Sequence, residues 1–119
     1  MMDCGPASLS MIASYYKKYY SLEYLRNNSF ITREGVSLLG ITEAANLIGL
    51  ETLTTKLNIN KLIEEKHLLP CILHWNQNHF VVLHKITKNI FTKKYIFHIA
   101  DPAHGFIKLS VENFKKSWI

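Results

Sequence analysis

Apolar residues in the first half of the chain recur at helical spacing, and those in the second half at strand spacing. Leu9, Ile12, Ala13 and Tyr16 fall at i, i+3, i+4 and i+7, which gives an early helix one apolar face. Asp3 stands where it can cap that helix, and Pro6 lies in the first turn, where a missing N–H breaks no intrahelical bond. A short helix is expected after Ser21, carrying Leu22 and Leu25. A third is predicted over 37–48, with Leu38, Ile41, Ala45 and Ile48 turned inward and Gly49 as its stop. Residues 50–57 read as a short strand and 60–66 as a short helix.

From Pro70 onward the period changes to two. Segments 71–75, 79–86, 94–101 and 105–109 are rich in β-branched and aromatic residues and read as strands. Ser110 can cap a closing helix that carries Phe114 and runs to Trp118. Helices first and strands afterwards predict an α+β fold, with N-terminal helices packed on a C-terminal antiparallel sheet. The chain has no internal repeat or linker-like stretch, so residues 1–119 are expected to form a single domain.

The composition suits one globular core: 48% of the 119 residues are hydrophobic and 19% charged. No apolar run approaches the roughly 20 residues that cross a bilayer, and the N-terminus carries no signal region. The chain by itself is therefore expected to be soluble and cytosolic. The formal charge of +5 includes the pairs Lys17-Lys18, Lys93-Lys94 and Lys115-Lys116. These read first as solvated lysines. No basic stripe interleaved with aromatics accompanies them, which argues against nucleic acid as a partner. Two cysteines, Cys4 and Cys71, make no disulfide framework, and no His/Cys spacing matches a structural zinc site. No metal or cofactor is expected.

The candidate chemistry lies in three residues. A thiol is nucleophilic as thiolate, a form favoured by the positive end of a helix dipole and by a neighbouring imidazolium. Cys4 occupies such a helix start. On its position alone it reads more readily as a buried, inert cysteine. His79 opens one strand and Asp101 ends the next, so an antiparallel hairpin brings them side by side. A register with His79 opposite Asp101 centres the connection at residue 90 and sets Lys85 against Tyr95. The chain has one other aspartate, Asp3, which leaves Asp101 as the natural orienter of an imidazole. His79 beside Asp101 would be a structural pair were Cys4 absent; the conjunction of the three points to thiol catalysis.

The remaining histidines fit less well. His84 has the opposite strand parity to His79, and His98 to Asp101. His67 and His104 read as loop or turn residues, and Cys71 as a small hydrophobe.

These residues also carry a family likeness. Asp3-Cys4-Gly5-Pro6-Ala7 resembles the nucleophile motif of the double-glycine leader peptidases. Those are the papain-like domains at the N-terminus of peptidase-containing ABC transporters, which mature and export bacteriocins and peptide pheromones. His79-Phe80-Val81-Val82-Leu83 resembles the family's histidine motif, and Asp101-Pro102-Ala103 with Gly105 its aspartate motif. Gly35-Val36-Ser37-Leu38, Ala44-Ala45 and Leu47-Ile48-Gly49-Leu50 resemble its helical middle.

The resemblance implies a papain-like cysteine peptidase with Cys4 as nucleophile, His79 as general base and acid, and Asp101 as orienter. It implies a leader peptide cut after Gly-Gly or a similar small pair. It further implies transmembrane and ATPase domains in a longer transporter, from which this chain would be an excised or truncated domain at the cytoplasmic face of the bacterial inner or plasma membrane. One departure stands out. Family members carry a glutamine shortly before the cysteine whose amide helps hold the oxyanion, and that position would precede Met1. Gln77, the chain's one glutamine, lies elsewhere. That departure keeps open a second reading, a noncatalytic peptide-binding module that captures export substrates. A third is another acyl or amide transfer on the same fold.

Overall fold

The first helix forms where the apolar spacing places it. In the computed structural model, which describes residues 3–29, 37–76 and 79–118, α1 spans Cys4–Tyr15 and buries Leu9 and Ala13. Tyr16, expected on its apolar face, is instead the exposed C-cap. Asp3 precedes α1 but does not cap it through its side chain. Its ψ of 4° departs from the extended conformation from which a capping side chain reaches back to the first-turn amides. The carboxylate turns outward to a two-point contact with Arg26, 2.7 Å to Nε and 2.5 Å to Nη2.

Four other helices do carry side-chain caps, each from an extended residue. Ser21 caps α2 (Leu22–Asn27), Ser37 caps α3 (Leu38–Leu47), Asn58 caps α4 (Ile59–Glu64) and Ser110 caps α5 (Val111–Ser117). A 3-10 turn, Lys66–Leu68, follows α4. Gly49 ends the α3 turn at φ +87°, a conformation that suits glycine.

The strands are β1 (Cys71–Trp75), β2 (His79–Lys88), β3 (Tyr95–Asp101) and β4 (Gly105–Ser110). They pair antiparallel in the order β1-β2-β3-β4. The strand expected over 50–57 is absent. Residues 51–56 are all exposed, with Leu53 at 81%, and the segment pairs with no strand of the sheet. Leucines at both ends of a polar stretch imitate a strand's pattern but bury too little to hold one.

Helices pack on each face of the sheet. On one, α1, α2 and α3 share a core of Leu9, Ala13, Leu25, Ala44, Ala45 and Ile48 that reaches Ile72 of β1. On the other, Leu73, Trp75, Val81, Leu83, Ile86, Phe97 and Ile99 pack with Leu62 of α4 and Phe114 of α5. Phe114 stacks on Phe97 with centroids 4.1 Å apart, and lies 5.5 Å from Trp75 and 5.2 Å from Trp118. The carbonyl of Ser117 accepts from the Asn76 N–H at 2.9 Å, which fastens the end of α5 to the end of β1.

Because α5 is a seven-residue helix held through one fully buried ring, its docking depends on Phe114. Phe114→Ala is expected to lower the free energy of unfolding by about 3–5 kcal/mol, as measured by urea denaturation.

Candidate active site

The β2–β3 pair sets the geometry. Val82 stands opposite Ala100 and Leu83 opposite Ile99. His79 therefore does not face Asp101 directly, as the expected register required; it lies two positions beyond the residue that does. A displacement of two keeps the strand parity, so both side chains still leave the same face of the sheet. Such diagonal neighbours are within reach of a long side chain. His79 Nε2 accordingly meets Asp101 Oδ1 at 2.6 Å.

Past Leu83 the register shifts again by one, and Lys85 pairs with His98 rather than with Tyr95. The extra residue is His84, and the resulting bulge leaves two adjacent exposed positions, His84 and Lys85. Lys88 pairs with Tyr95, so the connection runs through residues 89–94, where the Asn89 side chain accepts from the amides of Phe91 and Thr92.

Asp101 is buried, at 4% exposure, and its carboxylate is fully engaged. Oδ1 also accepts the Ala103 N–H at 2.8 Å, and Oδ2 lies 3.1 Å from Nδ1 of His104. Burial pushes the carboxyl pKa up, but the hydrogen bonds from His79, Ala103 and His104 outweigh it and hold the group below its ordinary range. An ionised carboxylate only accepts. Each ring nitrogen facing it therefore carries a proton, which fixes neutral His79 as the Nε2–H tautomer with its lone pair on Nδ1.

Cys4 begins α1 and is buried at 4% exposure in a cluster with Ile41 and Phe80. Phe80 adjoins His79 in β2, and its carbonyl accepts the buried Ser8 hydroxyl at 3.3 Å. The helix that bears the thiol is thus tied, one turn after Cys4, to the strand that bears the imidazole, at the residue next to His79. Of the three sequence-predicted residues, His79 and Asp101 are in direct contact, and Cys4 packs against the neighbour of His79.

The other candidates lie elsewhere. His84 and His98 have ring centroids 6.0 Å apart, and His84 meets the exposed Phe106 at 5.8 Å. Partial desolvation, and then Lys85, lower both imidazoles. Cys71 is half-buried, and burial pushes its thiol up to about 12, so its thiolate is scarce at neutral pH. Gln77 lies outside the described residues, as do Gly35 and Val36. Among the described residues no three His, Cys, Asp or Glu side chains form a metal-holding group, and no helix is long and apolar enough to cross a membrane.

Sequence reasoning passed over His104 as a turn residue. The signal available was its position three residues after Asp101, in a turn that the aspartate itself organises.

Comparison with known proteins decides the family. The peptidase C39 family matches residues 1–119. The chain belongs to that family. A curated relative of this C39 domain is the colicin V secretion/processing ATP-binding protein CvaB of Escherichia coli, 36% identical over 114 residues. The match covers 96% of this chain and 15% of CvaB. A solved double glycine motif protease from an AMS/PCAT transporter, in complex with the leader peptide, superposes with a TM-score of 0.88 at 38% identity. It covers 99% of this chain and 79% of that one. The peptidase domain of Streptococcus ComA, described as a bi-functional ABC transporter involved in a quorum sensing pathway, gives 0.84 at 32% identity and covers 98% and 85%. The C39 domain therefore has the α+β, papain-like architecture that its motifs imply.

The state of Asp101 has a consequence for acid stability. Because its folded pKa is depressed, its contribution is present above the ordinary carboxylate range, about pH 4, and is lost as pH falls through the lower folded value. Asp101→Asn should be less stable than the native chain at about pH 6, with the gap narrowing toward about pH 3, in urea unfolding curves taken across that window.

Proposed function

We propose that this C39 domain is a cysteine endopeptidase that removes leader peptides after a Gly-Gly type pair from bacteriocin or peptide-pheromone precursors. The observation that carries the reading is the 2.6 Å contact of His79 Nε2 with a buried, ionised Asp101, at the end of the sheet where the Cys4 end of α1 packs. The 38% identical double glycine protease with its bound leader peptide supports the substrate class.

In this mechanism Nδ1 of His79 takes the proton from Cys4 Sγ, while Nε2–H stays on Asp101. The resulting thiolate lies at the positive end of the twelve-residue α1. It attacks the carbonyl carbon of the second glycine, and the Cys4 backbone N–H is the candidate donor to the oxyanion. The imidazolium then returns its proton from Nδ1 to the leaving amine nitrogen, and the C–N bond breaks to leave a thioester. Water, deprotonated by the same Nδ1, hydrolyses the thioester and frees the thiol. Asp101 supports the imidazolium in both half-reactions without taking its proton.

The chain spans 15% of the length of CvaB. We propose that in the whole protein it is joined to the transmembrane and ATPase domains of an exporter, at the cytoplasmic face of the membrane. The leader peptide is its first partner.

Steady-state cleavage of a synthetic Gly-Gly leader peptide tests the assignment. Cys4→Ala and His79→Ala should each lose activity on the order of the 10⁶-fold seen when a triad nucleophile or base is removed. His84→Gln should keep it. A His84→Gln enzyme as inactive as His79→Ala, with the fold intact, would move the base elsewhere. Replacing the Gly-Gly pair of the peptide by Ala-Val should stop cleavage by steric exclusion, and equal turnover of both peptides would remove the specificity. Leader binding by the native chain without any cleavage would turn the reading to a noncatalytic capture module.

A further inference from the structure

The turn after β3 holds a second imidazole against the orienting carboxylate. Oδ1 of Asp101 receives two donors, His79 Nε2 at 2.6 Å and the Ala103 N–H at 2.8 Å, whereas Oδ2 receives Nδ1 of His104 at 3.1 Å. The His104 backbone N–H also donates to the Asp101 carbonyl at 3.1 Å, so the residue is held at two points. A carboxylate on a short side chain rotates in a broad, two-fold well. Two donors on one oxygen locate that oxygen, and a third on the other fixes the plane.

The ring itself is otherwise uncommitted to the core: 74% of the His104 side chain is exposed. Nothing in the packing of the sheet explains why an exposed ring should fold back onto a buried carboxylate. The contact does have a consequence at His79, since the plane of Asp101 sets the direction in which Oδ1 receives Nε2–H.

We infer that His104 is a positioning residue for the peptidase reaction. It acts through Asp101 to hold the His79 ring in the orientation that presents Nδ1 to the thiol. The inference rests on His79 being the general base. It assigns His104 no contact with substrate, so its removal should act on turnover and leave peptide binding unchanged.

The test compares the native chain with His104→Ala and His104→Asn, using a synthetic Gly-Gly leader peptide, with Cys4→Ala and His79→Ala as controls. His104→Ala should lower kcat about two- to tenfold, the weight of one net hydrogen bond, with KM unchanged. His104→Asn retains an N–H near the position of Nδ1 and should restore most of the loss. The ¹⁵N chemical shifts of the His79 ring should show the Nε2–H tautomer less populated in His104→Ala than in the native chain.

An unchanged kcat in His104→Ala overturns the inference. So does an equal loss in the Ala and Asn variants, or a rise in KM at constant kcat, which would put His104 against the peptide. An active His79→Ala enzyme would instead overturn the assignment of the base on which the inference stands.

Discussion

A carboxylate buried to the degree of Asp101 must be satisfied by donors or lose its charge. Everything at this end of the sheet follows from how that requirement is met. One donor is the amide of its own turn, one is the imidazole of the neighbouring strand, and one is the imidazole two residues past the turn's proline. Among the described residues no buried side-chain nitrogen or oxygen lacks a partner. The charge kept on Asp101 fixes the His79 tautomer, and the tautomer decides which ring nitrogen can act as a base. In the proposed mechanism the base is thus set by the need to keep a buried anion solvated by protein.

The rest of the fold sets the Cys4 end of α1 beside the strand that carries that imidazole. The α1 helix lies on β2, with Ser8 bonded to the Phe80 carbonyl and Phe80 packed with Cys4 and Ile41. Outside, the Asp3–Arg26 pair ties the same helix end to α2. That pair is exposed, so its stabilisation is small. On the opposite face, the Phe97–Phe114 stack keeps the strands under the site in place. Substitutions far from the chemistry can therefore act through the relative position of helix and strand.

Most of this was legible in the sequence because periodicity reports burial. The β1 bounds match the segment read from Cys71 to Trp75, and Ser110 caps the closing helix as expected. The meeting of His79 with Asp101 survived an error in register, because a slip of two residues preserves parity. The bulge at His84 was missed because 79–86 was read as one uninterrupted strand, although His84 and Lys85 are two adjacent polar positions between the core residues Leu83 and Ile86. Asp3 was misread because capping depends on ψ at that residue, and an exposed arginine far along the chain offered a better partner. The strand expected over 50–57 failed because residues 51–56 all stay exposed, so the segment buries too little to hold it against the sheet. His104 was missed because its role comes from a shared acceptor rather than from any motif.

The central claim is that Cys4, paired with His79 and Asp101, is the nucleophile. The most direct measurement is covalent capture of the reaction's own intermediate geometry. A leader peptide ending in a Gly-Gly chloromethyl ketone, which alkylates a thiol aligned for attack, is incubated with the native chain at neutral pH, and the adduct is located by peptide mapping with mass spectrometry. The account predicts one adduct, on Cys4, which fails to form in His79→Ala. Modification of Cys71, whose thiol is pushed up to about 12, or equal labelling of Cys4 in the native and His79→Ala chains, would contradict it.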